Sequence, residues 1–459
     1  MREILDMLRG ERRARLFFIA LAQSSLGTGA AYVALLLLAY ERLPSPLAIS
    51  VVLLANLIPS MLLGPLFGAL ADRLPRRTCV VAADLLRAGA FMGLALVESF
   101  EATVAFAVAV GVGTALFVPA SLAALGDLVP ERRLASATSL YGALDDLGYT
   151  AGPVIAALLL IAGGAEGIMV VNGVTFAISA VLLLGVPLGR PAAEPADPRS
   201  TSLVREAVDG VRATSGMPGI RVVLAVSSAA LFFGGAFNVA ELLFATEELG
   251  AASTGFAVLV ATYGLGFIAG SVSAAGGGAA PVLKRRYLRG LLLMALGFLG
   301  SGFAPGFGVA LATFALAGFG NGLMLVYERL LTQLSVPERL LGRVFGVKDA
   351  LTAWAFGLAF LSAGGVLALV GPRALIVLAG AGAVAAWAIA AVALRDKWTV
   401  GPDRAPLGLR DAAEPRLQLA AGEDRPHGAA GHRRRLALLD DLDEAGDDRG
   451  IELRAGVRG

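Results

Sequence analysis

Asp145 and Asp146 are adjacent carboxylates inside an otherwise apolar run at about 136–161. In a low-dielectric setting two neighbouring carboxylates do not both ionise easily, so such a pair suits the carriage of a proton. Hydration of one member in a water-filled vestibule is the other reading, and the residues leave both open. Asp84 and Arg87 lie three apart in the run 79–97 and can pair across one helical turn. A structural ion pair is the favoured reading there, with Asp84 the next proton-carrying candidate. Ionisable groups at the centre of a bilayer cost about 2.5–3.5 kcal/mol each on insertion scales, so each implies a partner or a task. Gln23, Asn56, Asn238 and Asn321 are further polar side chains inside apolar runs. They are candidates to line a polar cavity, and bridging between helices is their plainer role.

The elements that must hold these groups are long and apolar. Runs able to cross roughly 30 Å of hydrocarbon recur at about 16–39, 47–70, 79–97, 102–125, 136–161, 167–188, 221–245, 254–276, 288–304, 308–330, 343–370 and 374–394. They are continuously apolar, which fits helices and not the alternating strands of an outer-membrane barrel. Of the 459 residues, 57% are hydrophobic and 16% charged, whereas a soluble domain carries about a quarter charged residues. The expected fold class is therefore an all-α membrane protein of about twelve transmembrane helices.

Lys and Arg concentrate on one set of loops: Arg9 to Arg15, Arg73 to Arg77, Arg132 and Arg133, Lys284 to Arg286, and Arg339 and Arg343. The opposite set holds Arg42 and Arg373 with Glu98, Glu101, Glu166, Glu247 and Glu248. Positive loops favour the cytoplasm, so both termini are expected there, in an inner (plasma) membrane. The first run is too long and too rich in Gly and Gln for a cleavable signal peptide.

A polar stretch at 189–220, opening Pro191-Ala-Ala-Glu-Pro-Ala-Asp-Pro198, divides six runs from six. This gives expected units at 1–188 and 221–396, a cytoplasmic central loop at 189–220, and a mainly disordered cytoplasmic tail at 397–459. An internal repeat supports the division: Val129-Pro-Glu-Arg-Arg-Leu134 and Val336-Pro-Glu-Arg-Leu-Leu341 fall in equivalent loops.

Between the second and third runs stands Gly64-Pro-Leu-Phe-Gly68-Ala-Leu-Ala-Asp72-Arg73-Leu-Pro75-Arg76-Arg77. Glycines allow close helix packing, and the charges then sit at the membrane rim. Asp72 at a helix C-terminal end opposes the helix dipole and so implies a partner. The segment resembles the signature loop of the major facilitator superfamily, matched by Gly68, Leu70, Ala71, Asp72, Arg73, Arg76 and Arg77, with Pro75 in place of the usual second glycine. In the fifth run, Gly148-Tyr-Thr-Ala-Gly152-Pro153 resembles the motif of that superfamily's exporters, although Ala156-Ala157 replaces the following glycine pair. The arginine that many drug–proton antiporters of the family carry in helix 4 is absent between Thr103 and Leu125.

The resemblance covers about residues 12–396 and implies two six-helix bundles with alternating access. It implies a gating role for Gly68, Asp72, Arg73, Arg76 and Arg77, with Asp72 docking near Arg343 to Asp349 between Arg73 and Arg76. It also implies a secondary exporter of a small organic solute, of drug, macrolide or siderophore type, with protons as the candidate coupling ion. Uptake by symport, and a transporter-like sensor signalling through the 397–459 tail, are the rival readings. The expected partners are the solute and the lipid bilayer, and the chain is expected to act as a monomer. No phosphate-cradling Gly-x-x-x-x-Gly-Lys-Ser/Thr loop is present, so neither an enzyme nor direct ATP drive is expected. With one cysteine, Cys79, and both histidines, His427 and His432, in the tail, no metal site, disulfide or cofactor is expected. The net charge of +2 gives no reason to expect nucleic acid.

Overall fold

The computed structural model describes residues 7–71, 73–189, 210–274 and 278–395. Asp72, most of the 189–220 loop and the 397–459 tail lie outside them. All the regular structure among the described residues is helical. We number the long helices α1 (Arg12–Arg42), α2 (Pro46–Ala71), α3 (Arg76–Leu96), α4 (Phe100–Leu128), α7 (Pro218–Leu243), α8 (Ser253–Ser273), α9 (Ala280–Gly302), α10 (Phe307–Ser335), α11 (Glu338–Val370) and α12 (Pro372–Ala393). The continuous run Leu134–Leu184 breaks at Gly164, whose φ of 66° is open to glycine and hard for any β-carbon. Its arms, 134–163 and 165–184, are α5 and α6.

Local chemistry sets these ends. Proline occupies the first turn of α7, α9 and α12, where its missing N–H is not needed. Ser99 caps α4 by accepting from the Ala102 amide over 3.2 Å. Both copies of the sequence repeat build the same corner. The Arg133 amide donates to the Pro130 carbonyl at 2.8 Å and the Leu340 amide to the Pro337 carbonyl at 2.9 Å, with Val129 and Val336 buried beside them.

Among the described residues, ten segments are long and apolar enough to span a membrane, the one over Glu131–Leu184 holding both α5 and α6. Large apolar side chains stay exposed on the outer faces, including Ile161, Val181, Leu361, Leu369 and Ile389. Hydrocarbon satisfies such a surface and water does not.

Small residues bring the helices together, as expected where lipid removes the hydrophobic drive between them. Gly148 and Gly152 of α5 abut the α1 backbone at Ser25 and Gly29. Gly318 and Gly322 of α10 abut Tyr263 and Phe267 of α8, and Gly320 abuts Met294 of α9. Phe237 of α7 stacks on Phe298 at 4.4 Å and lies 4.9 Å from Phe314. Helices before the 189–220 loop meet those after it through α5 and α8, at Thr150 and Gly264, and through α2 and α11, where Ser50 meets Gly364 and Met61 meets Gly357.

Candidate functional site

A cavity of about 420 Å³ opens between α1, α2 and α5 on one side and α7, α8, α10 and α11 on the other. Leu53, Leu57, Val260, Phe267, Phe356 and Phe360 give it apolar walls. Its polar lining is Tyr32 (α1), Asn56 (α2), Asp146 and Thr150 (α5), Asn238 and Glu241 (α7), Tyr263 (α8) and Asn321 (α10). Pro153 of the α5 motif lines it too. Asn238 and Glu241 share one face of α7 at three-residue spacing. Glu241 is 5% exposed, and its Oε1 accepts from the Tyr32 hydroxyl over 3.4 Å. Asn321 Nδ2 donates to the Tyr263 hydroxyl at 2.8 Å. No lysine, arginine or histidine is among the described lining residues.

Three of the four polar candidates, Asn56, Asn238 and Asn321, thus line one cavity. Gln23 does not. Its Nε2 donates to the Thr175 carbonyl at 2.8 Å and the Ala20 carbonyl at 3.0 Å, bridging α1 to α6.

Asp145 and Asp146 part company. A second cavity of about 60 Å³ takes Asp145, together with Ser25, Thr28, Arg87 and Tyr141. Successive positions on a helix are rotated by about 100°, so neighbours in sequence serve different spaces. Asp145 and Asp146, the adjacent carboxylates singled out in the sequence, therefore line different cavities. Gly148 and Gly152 seat α5 tightly on α1.

Asp84 and Arg87 form the expected ion pair through Oδ1 and Nη2. Asp84 is fully buried, and its Oδ2 accepts from Ser179 Oγ at 2.6 Å. The Arg87 guanidinium lies between the rings of Phe117 and Phe176, at 4.1 and 4.3 Å. This is a packed support joining α3, α4 and α6.

At the signature loop, Asp72 lies outside the described residues. Arg73 and Arg77 are exposed. Arg76 Nη1 pairs with Asp127 Oδ1 at 2.8 Å at the end of α4, and Asp127 Oδ2 accepts from the Gly189 amide at 2.9 Å. Arg76 therefore braces α3 to α4. Gly68 meets only Pro119 Cβ, 3.9 Å from where a β-carbon would stand, and Gly64 meets nothing within 4 Å. The close packing expected of these two glycines is absent in this conformation.

Two buried acids escaped the sequence reading. Glu241 and Glu328 both fall inside runs, 221–245 and 308–330, so the rule that flagged the aspartates applied equally to them. Glu328 is fully buried on α10, with Lys348 Nζ of α11 at 3.9 Å. Glu247 and Glu248 follow Glu241 closely and give the segment the pattern of an acidic loop flank.

Comparisons with known proteins agree with this architecture. The family model of the Major Facilitator Superfamily matches residues 17–347. Macrolide efflux protein A of Streptococcus pyogenes is 23% identical over 69% of this chain and 79% of its own length. The multidrug efflux pump Tap of Mycolicibacterium fortuitum is 27% identical over 76% of this chain and 88% of its own. A bacterial homologue of the human lysosomal transporter Spinster, solved in an inward-facing and unoccupied conformation, aligns with a TM-score of 0.63 over 84% of this chain and 99% of that one, at 16% identity.

Proposed function

The chain belongs to the Major Facilitator Superfamily of membrane transporters, and from that premise we propose that it exports a small organic solute by alternating access to the cavity between its two halves. The observation that carries this reading is the cavity itself, with apolar walls, convergent polar groups and a carboxylate from each side of the 189–220 loop. Sites for drug-sized ligands have this character. The relatives named as a macrolide efflux protein and a multidrug efflux pump support export as the direction.

The halves are 1–188 and 221–396. Tyr32–Glu241 and Tyr40–Glu247 hydrogen bonds, at 3.4 and 2.7 Å, join α1 to the α7 end, and the Tyr40 contact lies at the arginine-poor face. With the arginine-rich loops in the cytoplasm, this is a state closed to the outside. Asp146 is the proton-coupling residue in this scheme, because it alone of the two neighbours faces the solute cavity. Asp72 gates the opposite state by docking at the start of α11. Accumulation of a panel of toxic compounds in cells with and without the protein tests the reading, and equal accumulation throughout would reject it.

A further inference from the structure

Charge and shape at the cavity limit what it can hold. Glu241 and Asp146 reach it from opposite halves, whereas no basic side chain is among its described lining residues. Aromatic side chains line the same space: Tyr32, Tyr263, Phe267, Phe356 and Phe360. A buried carboxylate next to aromatic rings is a poor setting for an anion and a good one for a diffuse positive charge, which gains from both the carboxylate and the ring quadrupoles.

We propose that the solute class is amphipathic organic cations, with Glu241 as the principal countercharge and Asp146 as the second. This deepens the export reading and rests on the same cavity being the solute site. Glu241 is the stronger of the two for a geometric reason. It is held at one position by Tyr32 and is 5% exposed, while Asp146 is exposed. The three amides, Asn56, Asn238 and Asn321, are neutral and supply hydrogen bonds without altering the sign of the site. Anionic solutes of the siderophore kind are thereby disfavoured.

A matched pair of probes isolates the charge: tetraphenylphosphonium and tetraphenylborate have nearly the same size and apolar surface but opposite charge. Equilibrium binding of both to the purified full-length protein in detergent is the measurement. The expected result is saturable binding of the cation, no competition by the anion, and a roughly ten- to hundredfold weaker cation affinity in Glu241→Gln. Glu241→Asp keeps the charge and should retain the preference for the cation, which covers the case in which Glu241→Gln fails to fold. Asp146→Asn should weaken binding less. Equal binding of the two probes, or cation affinity unchanged in both Glu241→Gln and Asp146→Asn, would overturn the proposal. Cation binding without solute movement in vesicles would leave this assignment standing and remove export. Export of neutral or anionic solutes with no cation binding would do the reverse.

Discussion

Tyr32 on α1 and Glu241 on α7 meet across the cavity, the phenol donating to the carboxylate over 3.4 Å. One hydrogen bond thus spans the boundary that alternating access must open. At that length it contributes no more than an ordinary hydrogen bond, about 1 kcal/mol. Tyr32→Phe should leave insertion intact and change the rate of solute movement roughly fivefold. A time course of efflux from preloaded cells checks this, and an unchanged rate would show that the contact is incidental.

Gly264 on α8 sits against the Thr150 carbonyl of α5, where a β-carbon would collide with the backbone. Gly264→Val should hold the halves apart and stop transport. In a Cys79→Ser background, an engineered cysteine at Asn238 should then react faster with an impermeant reagent added outside. Gly365, with nothing within 4 Å of an added β-carbon, is the control, and Gly365→Val should transport normally.

Glycines of the two family-like motifs should behave oppositely on substitution. Gly148→Val drives a side chain into Ser25 of α1, an overpacking worth about 1–3 kcal/mol. Gly68→Ala meets only Pro119 Cβ at 3.9 Å and should keep the wild-type melting temperature in detergent. Equal losses of stability would contradict the packing described.

Breaking the Asp84–Arg87 pair should harm folding more than deleting it. Arg87→Met strands a buried carboxylate, at about 3–5 kcal/mol. The double variant Asp84→Asn with Arg87→Met removes both charges and should recover part of the yield of folded protein. Loss of coupling without loss of yield in the single variant would instead make the pair functional.

Asp145 and Asp146 serve different cavities, so their neutral variants should differ. Asp146→Asn should flatten the pH dependence of uphill transport in everted vesicles. Asp145→Asn should leave that dependence in place. The opposite pattern would move the coupling proton to the smaller cavity.

The spans were legible because hydrocarbon imposes length and apolarity on every crossing, and the corner at Val129 and Val336 because both copies repeat the same turn residues. Asn56, Asn238, Asn321 and Asp146 were legible as polar groups in apolar runs. Their convergence was not, since helix rotation decides which face meets the cavity, and the same rule selected Gln23, which faces α6. Glu241 satisfied that rule too and was hidden by the acidic loop flank beside it.

Uphill movement of solute is the most direct test of the central claim. Everted vesicles containing the protein should be energised by respiration and presented with fluorescent cationic, neutral and anionic dyes. The cationic dyes should accumulate above the level in vesicles lacking the protein, and this accumulation should be abolished when the pH difference is collapsed and absent in Glu241→Gln. Dye levels equal to the protein-free vesicles across the whole panel, with folded protein present in the membrane, would contradict it.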